Sequence, residues 1–216
     1  MEKTPNTSLL LVEGKSEQTV IPRFCKECGI PQYFDIESGK SLEQLKTAMK
    51  LHLKSSNVYK KLWVVIDADT NPDGAWESMK YILEKSGKYD FDRKMPLPSD
   101  GVVIPPRDPA DLTVGIWVMP DNNACGMFED FLLALIPSED TLLEESTRIV
   151  NRLHTERDRH NLLFKAVHKS KARIHTWLAW HDTPGESLAV AVTKHLFDTS
   201  RPLSLRFSSW LSRLNP

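Results

Sequence analysis

Three stretches of this chain are apolar almost without a break, and each runs into an acid. Leu9-Leu10-Leu11-Val12 stops at Glu13-Gly14, Leu62-Trp63-Val64-Val65-Ile66 stops at Asp67, and residues 113–119 lead into Pro120-Asp121. A strand with one wet face alternates apolar and polar residues. A continuous apolar run needs cover on both faces, which helices crossing between parallel strands provide. Helical periodicity lies between the runs: Leu42, Leu45, Met49 and Leu53, then Trp76, Met79, Ile82 and Leu83. The pattern predicts an α/β fold with a central, mainly parallel sheet flanked by helices. In such a sheet the three acidic strand ends lie side by side, at the edge where ligands bind.

Taken in order, Ser16 is placed to cap a helix running to about Cys28 and stopping at Gly29. Pro22 inside it marks either a kink or the true first turn. Residues 33–36 read as a short strand, and Ser41 with Gln44 as a capping box for the next helix. A polar turn over 69–74 precedes the Trp76 helix. Residues 89–100 and 105–111 read as loops around a candidate strand at 102–104. A helix with Met127, Phe128, Phe131, Leu132 and Leu135 on its apolar face is expected over 126–136. Beyond Pro137 helices take over: a long polar one capped by Ser138 and reaching Arg159, then 187–197 and 205–214. The expected organisation is an α/β core over 1–136 and a helical extension over 137–216 packed on it.

The chain has 216 residues, 40% hydrophobic and 26% charged, in the range of ordinary globular proteins. No apolar run approaches the ~20 residues of a membrane span, and the first six residues lack a leader's basic-then-apolar layout, so a cytoplasmic protein is expected. Cys25 and Cys28 form a CxxC without a second pair, which suits reduced thiols on an amphipathic helix better than zinc. A net charge of −1 argues against a uniformly basic nucleic-acid binder. The basic residues are bunched, however. Arg148, Arg152, Arg157, Arg159, Lys165, Lys169, Lys171 and Arg173 face only Glu156 and Asp158 in the same segment. That run is either a solvated helix face or a phosphate-attracting patch.

The acids at the strand ends are Glu13 and Glu17, Asp67 and Asp69, and Asp121 with Glu129 and Asp130. Carboxylates gathered together repel one another, and a divalent cation resolves the conflict. All-oxygen donors suit Mg²⁺ or Mn²⁺. If the chain stays extended past β-strand residue Asp67, Asp69 points to the same side and both acids reach one ion.

Val12-Glu13-Gly14-Lys15-Ser16-Glu17, followed some fifty residues later by Val65-Ile66-Asp67-Ala68-Asp69, resembles the Toprim domain of topoisomerases, primases and certain nucleases. That resemblance implies a Rossmann-like core, a metal-binding or acid/base role for Glu13, and Mg²⁺ binding by Asp67 and Asp69. Glu17 matches a second acid of the nuclease members, and Lys171 is the candidate for a lysine that steadies transition-state charge. Met119-Pro120-Asp121-Asn122, the stretch 126–131 and Lys171-Ala172-Arg173-Ile174-His175-Thr176-Trp177 are similar to an uncharacterised family of small stand-alone bacterial Toprim-related proteins. The activity this implies is Mg²⁺-dependent phosphodiester hydrolysis of DNA or RNA, with Glu13 assisting proton transfer. The alternatives are a regulatory module that binds metal, nucleotide or nucleic acid without turnover, and a phosphatase of haloacid-dehalogenase type. The last expects Thr or Val where Asn71 stands. No Walker A loop and no G-x-S-x-G nucleophile context occur, so any ATP-driven step would need a separate ATPase partner. His168, His175 and His181 read as structural, and the oligomeric state is open.

Overall fold

A computed structural model describes residues 6–55 and 59–215. Residues 1–5, on which much of the expectation about a leader rests, lie outside the described part. Five strands form one sheet in the order β2-β1-β3-β5-β4: β1 (Ser8–Val12), β2 (Asp35–Ser38), β3 (Lys61–Asp67), β4 (Val102–Ile104) and β5 (Thr113–Met119). The first four in that order are parallel, and β4 pairs antiparallel with β5. No helix among the described residues is long and apolar enough to cross a membrane.

Period-two alternation divides the buried strand residues between two cores. Leu10, Val12, Trp63, Val65, Trp117 and Met119 pack on one face, and Leu9, Leu11, Leu62, Val64, Ile66, Val114, Ile116 and Val118 on the other. Helices α2 (Leu42–Lys54) and α3 (Pro72–Ser86) cover the second face through Leu45, Met49, Leu53, Trp76, Met79, Ile82 and Leu83. The first face is covered by α1 (Lys15–Glu27), α4 (Phe128–Ala134), α6 (Lys169–Leu178), α7 (Leu188–Thr193) and α8 (Pro202–Ser212), while α5 (Thr141–Thr155) packs on α6. Since α1 leads left from β1 and α2 carries the chain back to β3, strand order reverses between β1 and β3. This reversal opens a crevice at their C-terminal ends.

The C-terminal helices complete the first core rather than decorate it. Trp210 packs against Trp63, Trp117 and Phe207, accepts a hydrogen bond from Trp63 Nε1 at its carbonyl, and donates its own indole N–H to Val102 O. Ser8 Oγ donates to Leu214 O, 206 residues along the chain.

Several boundaries differ from the sequence reading. Gly14, not Ser16, occupies the N-cap of α1, and Pro22 lies inside that helix. The edge strand β2 sits two residues later than expected, because only alternate side chains of Asp35–Ser38 are partly covered and no apolar run marks it. Helix α5 starts from Asp140, whose carboxylate accepts from Leu143 N, rather than from Ser138. It ends at Thr155, where its apolar periodicity gives out. Helix α4 is shorter than 126–136 because Gly126, at φ 142, is still extended chain. Helix α7 ends at Thr193, shortly before His195 turns left-handed at φ 56, and α8 starts early with Pro202 in its first turn, where its missing N–H costs nothing.

Candidate functional site

The crevice between β1 and β3 opens into a cleft of about 500 Å³ lined by Glu13, Glu17, Asp67, Asp69 and Glu129, with Lys15, Lys40, His168 and Lys171 among the remaining wall residues. Four elements and their turns supply the acids. Glu13 leaves the end of β1, and its carboxylate accepts from Asp67 N at 3.3 Å and from Leu42 N at the start of α2. Burial raises its pKa, the Asp67 N–H opposes that, and the Asp69 charge adds to it. Glu17, in the first turn of α1, is only 5% exposed. Its pKa is pushed up to about 7, first by burial and then by the charges of Glu129 and Glu13. A Cβ on Gly14 would stand 2.8 Å from Glu17 Oε2, so glycine is what lets this carboxylate fold back over the turn.

Asp67 closes β3, and its Oδ1 accepts from Phe128 N at 2.9 Å, at the head of α4. Burial, then the charges of Glu17, Glu13 and Glu129, raise its pKa well above the usual carboxylate range. Asp69 does not continue the strand. Its φ is 48, a conformation aspartate tolerates, and it bridges to Gly126 through reciprocal 2.8 Å backbone hydrogen bonds. The two aspartates share the cleft through that turn and not through strand alternation. Glu129 is 3% exposed, and Lys171 Nζ on α6 lies 3.3 Å from its Oε1.

Two of the sequence candidates stand apart. Asp121 folds into its own turn, where Oδ1 accepts from Asn123 N at 3.0 Å and Ala124 N at 2.7 Å, and it does not line the cleft. Asp130 holds the start of α4 by accepting from Met127 N, and takes a second hydrogen bond from Ser170 Oγ, facing a neighbouring hollow instead. An acid next to a turn or a helix start is readily absorbed by backbone N–H groups, which spacing alone does not reveal. Of the histidines, His168 lines the cleft, His175 is exposed, and His181 packs edge-on against Trp177. Lys15 and Lys40 were not singled out from the sequence. Lys15 stands inside the acid motif itself, and Lys40 follows β2 at the same sheet edge, so strand order was the missing signal.

The donor set is all oxygen, and burial with neighbouring acids raises the pKa of Glu13, Glu17 and Asp67, which fits a hard dication in type and in charge. Among the described residues, however, no three His, Cys, Asp or Glu side chains form a ready-made metal-holding group. The three cysteines are free; burial pushes the Cys25 thiol up to about 12 and also raises that of the partly buried Cys28, so neither thiol of the CxxC is activated.

Residues 7–216 match the family model described as "Protein of unknown function (DUF3226)". No curated protein and no solved structure matches the chain.

Proposed function

We propose, for a chain that belongs to the DUF3226 family and takes no described activity from that membership, a divalent-cation-dependent phosphodiester hydrolase of Toprim type acting on nucleic acid. One observation carries the reading: Glu13, Glu17, Asp67 and Glu129, from separate parts of the fold, meet in one cleft where burial and neighbouring acids oppose the ionisation of Glu17 and Asp67. Mg²⁺ or Mn²⁺ held there by these four and Asp69 would supply charge neutralisation and polarisation of a phosphoryl oxygen. Glu13, oriented by two backbone N–H groups and with a raised pKa, is the group suited to hold and pass on a proton. Lys171, half exposed beside Glu129, sets a cation where a phosphate oxygen would approach. Asp121 and Asp130 are left out of the ligand set because backbone and Ser170 occupy them.

A second reading, a module that binds without turnover, is favoured by the Lys171–Glu129 ion pair, which engages the lysine a hydrolase would use against transition-state charge. Incubating the protein with plasmid, single-stranded DNA and structured RNA in Mg²⁺ or Mn²⁺ separates the two. Cleavage lost in Asp67→Ala and Asp69→Ala is expected. Cation-induced stabilisation lost in the variants, with no cleavage by wild type, points to the module. Equal cleavage by wild type and variants sinks the hydrolase.

A further inference from the structure

A second charged feature runs down the opposite face of the sheet from α1. Lys46, Lys50 and Lys54 recur at four-residue intervals on α2, which puts them on one helix face about 6 Å apart. On α3, Tyr81 and Lys85 share the same spacing. Between the two helices lies a groove of about 290 Å³, floored by Leu53 and Ile82 and walled by Lys50, Lys54, Tyr81 and Lys85. The Tyr81 ring is 57% exposed, and Lys85 Nζ sits 5.4 Å from its centroid.

Of the acids on these helices, Glu77 pairs with Lys80 and Glu84 with Arg93, Glu43 pairs with Lys46 at the start of the line, and Asp73 stands in the first turn of α3. Among the described residues no ion pair involves Lys50, Lys54 or Lys85. Lys54 and Lys85 stand in the last turns of their helices and offset the carbonyl ends there, but Lys50 has no such task. At its other end the line reaches the cleft, because α2 begins at Leu42, two residues beyond Lys40 in the cleft wall.

We propose that the α2–α3 groove binds a single strand of nucleic acid continuing out of the cleft, its phosphates on the lysine line and an unstacked base on Tyr81. The exposed Tyr81 ring, with Lys85 over it, favours a single strand over a duplex, whose bases are already stacked, and the apolar floor suits a base edge more than a second row of phosphates. The continuity with the cleft rests on the hydrolase reading, whereas strand binding itself needs no metal.

The test is fluorescence anisotropy with labelled oligothymidylate and oligouridylate over a salt series, with chelator present. The variant Lys50→Gln/Lys54→Gln/Lys85→Gln should weaken binding by about tenfold or more. It should also flatten the plot of log K against log salt by about 2, at roughly 0.7 per phosphate contact. Tyr81→Ala should weaken binding and leave that slope unchanged. Cleavage is assayed separately in Mg²⁺, so no cleavage by wild type while the lysine and Tyr81 effects on binding hold sinks the cleft reading alone, and cleavage with no effect of those variants on binding sinks the groove alone. Absence of binding by wild type, or an unchanged slope in the lysine variant, overturns the proposal. So does displacement by polyglutamate with no dependence on Tyr81, which assigns the groove to an acidic protein partner.

Discussion

Replacing Glu17 with glutamine isolates the electrostatic cost of the cleft. The carboxylate is buried in the first turn of α1, and its pKa stands near 7 against an ordinary 4.5. As pH rises from about 4.5 through 7, the folded chain keeps a proton that the unfolded chain has already released, so stability falls over that window. The full difference corresponds to on the order of 3 kcal/mol by pH 8, at about 1.4 kcal/mol per unit, and to less than about 1 kcal/mol at pH 5. Glutamine keeps the shape and still accepts from Gly14 N, but carries no charge. Glu17→Gln should therefore match wild type near pH 5 and exceed it by on the order of 3 kcal/mol at pH 8. For a chain of this size that is about 6 to 12 °C in melting temperature. Thermal and urea melts at both pH values, in chelator, measure it. Parallel pH profiles for the two proteins would refute the claim that burial and the charges of Glu129 and Glu13 hold Glu17 protonated.

Mg²⁺ at about a hundred times its dissociation constant should stabilise wild type by about 2.7 kcal/mol, and Asp67→Asn should lose most of that in a melting experiment. Lys171→Met should abolish cleavage, and because it leaves buried Glu129 without its counter-ion, Lys171→Met/Glu129→Gln is run beside it; a double variant that recovers cleavage would recast the lysine as structural. Trp210→Ala removes a buried indole, its stacking partners and a hydrogen bond to Val102 O, and should cost about 3 to 5 kcal/mol in urea unfolding.

The strands that make the cleft were legible because burial on both faces leaves an unbroken apolar run, as at residues 62–66. The edge strand β2 left no such trace, since Asp35–Ser38 is only half covered. Glu13 and Asp67 were legible as acids at strand ends. Asp121 looked equivalent, yet its turn consumes the carboxylate locally, and no spacing rule distinguishes an acid that caps from one that faces a ligand. Asp69 arrived in the cleft through a left-handed turn fixed by Gly126, a residue 57 positions away in sequence. Lys40 depended on β2 lying beside β1, and the groove next to the α2 lysines on α2 lying beside α3. Both are matters of topology, which local pattern does not carry.

The contact between Trp210 and the indoles of Trp63 and Trp117 has a consequence for the order of assembly. During vectorial synthesis the sheet strands emerge first, and the face bearing both tryptophans waits for residues 202–212 before it is covered. A nascent chain stalled before α8 would present an aromatic patch on a preformed sheet, the kind of surface that holdase chaperones grip. Closure then depends on one of the longest-range meetings in the chain, that of Ser8 with Leu214, which makes late, slow collapse the expected final step of folding.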